Sequence, residues 1–331
     1  MKARDAIGLS SVAGIAFGAI FALATNAAAD PVALRVYTQV GTRALPFYVG
    51  IDKGFFARHG LKVELEFTQS SANQRDALAS GKADIVYSAV DNAVAMVDVG
   101  KKDVVIVTGG DSGTNEFYVQ DYVKSLSDIR GHAVAVDATN TAYALQAKKI
   151  LMQHGLKDDI DYNLNPVGNG ALRLKSLIED KNNAAAILNL PYTLQAQAAG
   201  LKSMGRTTDL VGPYQAAASF TLRSWAIANS GTLERYIAAF VESLRWSFDP
   251  KNRSEAVAIL MEKFKLSKSF AERSYDLMSD PAFGFAPDAK FNMNGFKNVL
   301  ALRAEIEGSM PTAPDRYIDL SYYERAMRLL K

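Results

Sequence analysis

The sequence predicts an α/β protein built from two units. Steps from a short apolar strand into a helix recur from residue 34 to about residue 190, the pattern of a mainly parallel sheet with helices on its faces. The chain has 331 residues, more than one core usually holds. From Thr232 onward the pattern turns helical, and no further strand is expected.

The chain opens on a stretch that reads as a cleavable export signal over residues 1–29. Lys2 and Arg4 make a basic start, Val12 to Ala24 is apolar, and Ala27-Ala28-Ala29 offers small residues for cleavage near Ala29-Asp30. The apolar run is short for a bilayer span. Leu34 to Thr38 is the first expected strand, and Gln39 to Arg43 the loop at its carboxyl end. A helix is expected from Leu45 to His59, stopped by Gly60. Leu61 to Phe67 alternates apolar and charged residues, as a half-exposed strand does.

The stretch Ala72 to Met96 organises this first unit. A short helix (Asn73 to Ala79) ends at Gly81, a buried strand runs from Asp84 to Tyr87, and Ser88 to Asn92 turns into an apolar helix. That helix starts at the carboxyl end of a strand, where open α/β sheets bind ligands. Asp103 to Thr108 is a further strand.

The second unit starts near Phe117. Ala133 to Val136 is a strand, and Thr139 or Asn140 caps a helix running to Gln153. Tyr162 to Pro166 is a strand, Ala171 to Glu179 a helix, and Ala184 to Asn189 a strand, with Pro191 in the first turn of the next helix. Ser219 to Ile227 is the last strand expected. Helices then follow over Leu233–Phe248, Glu255–Lys265, Ser269–Met278, Phe291–Ile306 and Leu320–Leu330, separated at Asp249-Pro250, Asp280-Pro281 and Met310-Pro311.

Composition narrows the function. Lys plus Arg is 37 and Asp plus Glu is 35, so no strong field favours nucleic acid or an anionic membrane. Cysteine is absent, which removes disulfides, thiolate metal sites, a cysteine nucleophile and a lipid-bearing cysteine. The three histidines, His59, His132 and His154, have no metal-binding spacing. Gly-x-Ser-x-Gly, a phosphate-binding loop with its lysine, and His-Glu-x-x-His do not occur. No cofactor, no metal and no catalytic set is expected.

Three strings carry a family resemblance: Ala44 to Phe56 (Ala-Leu-Pro-Phe-Tyr-Val-Gly-Ile-Asp-Lys-Gly-Phe-Phe), Gly60 to Leu65, and Leu78 to Ile85. Together they resemble the bacterial periplasmic solute-binding proteins of the nitrate, sulfonate and taurine class, which also holds thiamine-pyrimidine binders. The resemblance extends from Leu34 to Val107 and, through Ser127-Asp128-Ile129-Arg130-Gly131 and Ala133 to Asn140, into the second unit. After Phe220 only the helical character agrees. The resemblance implies a type II periplasmic-binding-protein fold with a ligand cleft between two lobes. It implies a periplasmic location, a small-molecule ligand, no chemistry on that ligand, and delivery to an inner-membrane ABC permease with its ATPase. A monomer is expected. The implied domains are lobe 1 over residues 30–118, lobe 2 over 119–222, and a helical return to lobe 1 over 223–331, with crossings at Phe117–Tyr122 and Phe220–Trp225.

Candidate ligand-binding residues follow from these positions. The first lobe offers Thr38, Gln39, Thr42, Ser88, Asp91 and Asn92, and the second Thr139, Asn140, Thr141, Asn189 and Tyr192. Hydroxyls and N–H groups at opposed helix starts suit a small anion. Tyr48, Tyr118 or Tyr192 suits a planar ligand. Arg43 suits a carboxylate or sulfonate, against the plainer reading of an exposed arginine at a helix start. Asp91 and Asp137 read first as turn residues. The leading expectation is an organic-anion carrier. The alternatives are a carrier of a pyrimidine-like heterocycle, a periplasmic receptor outside transport, and an enzyme related to pyrimidine synthesis.

Overall fold

The computed structural model describes residues 30–331, so the expected export signal lies outside the described residues. Among the described residues, ten strands form two five-stranded sheets. In chain order they are β1 (Val32–Gln39), β2 (Leu61–Thr68), β3 (Ile85–Ala89), β4 (Val104–Ile106), β5 (Glu116–Val119), β6 (Ala133–Val136), β7 (Asn163–Pro166), β8 (Asn183–Leu188), β9 (Lys202–Arg206) and β10 (Ala217–Leu222). The first sheet has the order β2-β1-β3-β10-β4 and the second β7-β6-β8-β5-β9.

Each sheet has one reversed strand. β10 runs antiparallel to β3 and β4, and β5 antiparallel to β8 and β9. The other pairs are parallel, such as β1 with β2 from Val32↔Leu61 to Gln39↔Thr68. The reversal follows from the route of the chain. After β4 it leaves the first sheet and enters the second as β5, and after β9 it returns and inserts as β10.

The passages between sheets are therefore residues 107–115 and 212–216. The sequence reading puts them later, at Phe117–Tyr122 and Phe220–Trp225. Those segments open inside β5 and β10, which are strands of the second and first sheet respectively. Both strands are almost wholly buried. A fully buried strand has the same unbroken apolar pattern as an extended crossing, so pattern alone does not separate them. The expected strand Ser219 to Ile227 also ends at Leu222, where the helix Arg223–Ala228 begins.

Local chemistry sets the element ends. The first long helix breaks into Leu45–Asp52 and Phe55–Arg58 at Gly54, which adopts φ 72°. Ser70 caps the helix Ser71–Ala79 by accepting from the Asn73 N–H. Thr141, one or two residues beyond the expected cap, accepts from the Ala144 N–H and starts the helix Ala142–Met152.

The return segment packs mainly on the first sheet. Helix Ser230–Phe248 buries Tyr236 and Phe240 among Phe47, Phe56 and Tyr87. Helix Met293–Glu307 differs: it also meets the second domain through Lys149–Glu305 at 2.7 Å and Arg303–Asn140 at 2.9 Å. One apolar core runs through both sheets, joining Val104 and Phe220 to Val134 and Ile187. Among the described residues no helix is long and apolar enough to cross a membrane.

Candidate functional site

The carboxyl ends of β1 and β3 meet the loop after β8 at one place. Thr38, Gln39, Arg43, Tyr87 and Ser88 of the first domain face Tyr143 and Asn189 of the second around a gap of about 20 Å³. A second gap of about 10 Å³ lies on the other side of Arg43, bounded by Thr42, Asp111 and Asn189. Each gap is about the room of one water, so the domains must part before anything larger enters.

Arg43 and Asp111 form the charged centre. Nε of Arg43 lies 2.8 Å from Oδ2 of Asp111, and Nη2 donates to Oδ1 at 3.1 Å. Burial opposes the Arg43 charge, but Asp111, with Tyr143 and Tyr87, holds the guanidinium above its ordinary range. Burial pushes the Asp111 carboxyl up, while Arg43 and the Gly113 N–H pull the other way.

Two buried hydroxyls flank this pair with no hydrogen-bond partner among the described residues: Thr42 Oγ1 and Tyr87 Oη. Unpaired buried polar atoms are uncommon and call for a partner. Burial, with Asp111 nearby, pushes the Tyr87 phenol well up, so it stays a neutral donor.

A second cation stands behind the far wall. Arg173 is fully buried on the helix Gly170–Glu179. It donates through Nε to the Ile187 carbonyl (2.9 Å), through Nη1 to the Gly168 carbonyl (2.9 Å) and through Nη2 to Asn189 Oδ1 (3.2 Å). Its guanidinium lies 3.9 Å from the centre of the Tyr143 ring. No carboxylate among the described residues pairs with it. Arg43 is paired with Asp111, whereas Arg173 lies behind the wall and lines neither gap. The further buried carboxylate near the gap is Asp137, which accepts from Gln39 Nε2 at 3.4 Å.

The sequence-derived candidates separate into groups. Thr38, Gln39, Ser88 and Asn189 line the gap, and Thr42 lines its neighbour. Tyr192 is buried against Gly170 and lines neither gap. Asn92 is one step back, donating to Ser88 Oγ at 3.1 Å and accepting from Arg75 at 2.8 Å. Thr141 caps its helix and donates to Asp137 Oδ1 at 2.5 Å. Thr139 is exposed, and Asn140 accepts from Arg75 and Arg303 away from the gap. Asp91 points into a different buried cluster: Tyr214 Oη donates to both its oxygens at 3.0 Å, and Arg303 stands 3.8 Å away. Of the other tyrosines, Tyr48 packs on Phe67 and Phe264, and Tyr118 lies in β5.

Arg173, Tyr87, Tyr143 and Asp111 are absent from that candidate set. A strand tyrosine reads as core and a helical arginine as solvated surface. The one available signal was Gly109-Gly110 before Asp111: a Cβ on Gly110 would stand 2.5 Å from the Tyr87 hydroxyl. Among the described residues no cluster of three or more His, Cys, Asp or Glu is placed to hold a metal.

Solved structures share this architecture at low identity. The periplasmic nitrate-binding protein NrtA from Synechocystis PCC 6803 aligns with a TM-score of 0.74 and 17% identity, covering 91% of this chain and 90% of that one. The alkanesulfonate-binding protein SsuA from Xanthomonas axonopodis pv. citri, bound to MOPS, aligns with a TM-score of 0.67 and 14% identity, over 84% of this chain and 92% of that one. The desulfurization enzyme DszB also shares the fold, with a TM-score of 0.61 and 11% identity over 90% of this chain and all of its own. At such identities these likenesses speak for the fold, a two-domain α/β architecture of the periplasmic-binding-protein type. No curated protein matches the sequence. The model of the NMT1/THI5-like family matches residues 42–250, well over half of the chain, and the protein belongs to that family.

Proposed function

We propose that this protein is the solute-binding component of an ABC importer in the periplasm. It captures a small organic anion, a sulfonate or carboxylate, between its two domains and delivers it to an inner-membrane permease. The domains are the two sheets with their helices, joined by the passages at residues 107–115 and 212–216. The observation that carries the reading is a buried cation behind the gap wall, Arg173, held by neutral acceptors alone. Arg43 is offset by Asp111, whereas Arg173 is buried with no acid beside it. Tyr87 supplies a free hydroxyl to the gap and Thr42 one to its neighbour, and Thr38, Ser88 and Asn189 add neutral donors and acceptors. Such a set holds an anion through charge-assisted hydrogen bonds and contains no paired nucleophile and base. The structural likeness to nitrate and sulfonate binders supports the same class, and binding by domain closure follows from the water-sized gaps.

The test is a thermal-shift and calorimetric screen of the chain from Asp30. The panel holds alkyl sulfonates, taurine, nitrate, aliphatic and aromatic carboxylates, and a pyrimidine. A ligand at a hundred times its Kd is expected to add about 2.7 kcal/mol of stability. Arg173→Gln is expected to weaken that binding by about tenfold or more, from loss of a buried cation. Binding of the pyrimidine alone would overturn the anion reading. Unchanged affinity in both Arg43→Gln and Arg173→Gln would overturn the site.

A further inference from the structure

A second cavity, of about 310 Å³, lies between the helices Ser71–Ala79 and Val90–Asp98. Its size falls at the lower end of small-ligand sites. Ala79, Met96 and Val99 give it an apolar wall. Arg75 and Lys102 stand around it, opposed by the single acid Asp76, and Asn140 reaches in from the second domain. None of these residues lines the gaps at Arg43.

Arg75 is the informative group. Nη1 alone makes its hydrogen bonds, to Asn92 Oδ1 at 2.8 Å and the Asn140 carbonyl at 3.0 Å. Nε and Nη2 have no acceptor among the described residues, and no carboxylate forms an ion pair with the guanidinium. Burial works against its charge, and Arg303 adds to that, with Asp137 and Asp76 compensating only in part. A half-buried cation with an open pair of donors beside an apolar wall is complementary to an anion carrying an aliphatic tail. The paired donors match the two oxygens of a carboxylate. The wall accepts the tail at a gain that scales with the apolar area covered.

We propose that this cavity is a second ligand site, for an aliphatic monocarboxylate of medium chain length. The carboxylate lies on Nε and Nη2 of Arg75, and the chain lies along Ala79, Met96 and Val99. Because Arg75 and Asn140 belong to different domains, a carboxylate here bears on the joint between them as well as on the cavity.

Octanoate is the probe, titrated calorimetrically into the chain from Asp30. A saturable site that persists in Arg43→Gln is expected, and 1-octanol, which keeps the tail but lacks the charge, is expected to bind there at least about tenfold more weakly. Arg75→Gln is expected to weaken octanoate by about tenfold or more. Val99 is 64% exposed, so Val99→Asp keeps the fold while placing a negative charge at the cavity; it is expected to weaken octanoate by a similar factor. Arg43→Gln is expected to leave octanoate binding at this cavity as it is. The proposal falls if octanoate shows no saturation up to about 10 mM, where even a weak site registers. It falls equally if Arg43→Gln abolishes binding, which would put octanoate in the gap between β1 and Asn189, or if both Arg75→Gln and Val99→Asp bind it like the parent chain.

Discussion

Asp91 shows how a single side chain escapes a positional argument. It follows a strand end and opens a helix, as a ligand-facing residue should, yet its side chain is fully buried under Tyr214 and beside Arg303. Burial pushes its carboxyl above the ordinary 3.8, with Arg303 and the Tyr214 hydroxyl pulling the other way. The sign of the consequence follows from linkage. A carboxyl with a raised folded-state pKa binds its proton more tightly in the folded chain. Its stabilising contribution is full below the ordinary value and is lost as pH rises through the raised one. Asp91→Asn keeps an acceptor for Tyr214 and does not titrate. The variant is therefore expected to gain stability relative to the parent chain as pH rises from about 4 to 7. Urea unfolding at a series of pH values measures this, and a constant offset between the two chains would contradict it.

The helix Gly170–Glu179 carries the site's unpaired cation, and its first residue explains how. A Cβ on Gly170 would lie 2.3 Å from Tyr192 Cδ2 and 2.6 Å from Asn189 Oδ1. Asn169 caps the same turn, accepting from the Ala171 and Leu172 N–H groups. Gly170→Ala must therefore push the helix off the loop after β8 and disturb the Arg173–Asn189 contact. It is expected to cost about 1–3 kcal/mol of stability and to weaken ligand binding, as a thermal melt and the same calorimetric titration read; an unchanged melt and affinity would contradict this. Most elements were legible before the structure because their signals are local: alternation in Leu61 to Phe67 and stops at Gly60 and Gly81. What escaped depends on neighbours far along the chain. Lys202–Arg206 has no apolar alternation because it is an edge strand with a largely wet surface, so β9 goes unread. Arg173 reads as a surface residue because its burial is set by β8 and Tyr143. The side chains from β1 and the β3 turn were legible, since strand ends mark the cleft. The groups that charge it come from positions with no such mark.

At the scale of the whole molecule, polar contacts add to the shared apolar core in holding the two domains together. Asp137 Oδ2 accepts from the Ser71 N–H at 3.3 Å and from Gln39 Nε2 at 3.4 Å across the joint, while its Oδ1 is held by Thr141 within its own domain. The Gln69 carbonyl accepts from the Asn169 N–H at 2.7 Å, and Arg75 reaches the Asn140 carbonyl. These bonds exist with the gaps already closed to about 20 and 10 Å³, so they favour closure before any ligand is counted. Asp137→Ala removes its cross-domain pair and leaves Thr141 capping its helix through Ala144. Two hydrogen bonds to a charged group as long as 3.3 and 3.4 Å amount together to about 1.4 kcal/mol, a factor of about ten in the closed-to-open ratio. Closed empty and closed loaded chains lose that same amount. The ligand is therefore expected to enter and leave about tenfold faster with nearly the same Kd, as long as the empty chain remains mainly closed. Stopped-flow Trp fluorescence gives both rates. If the entry rate stays as it is while the exit rate rises and Kd weakens, Asp137 acts on the ligand directly and the joint is held by other groups.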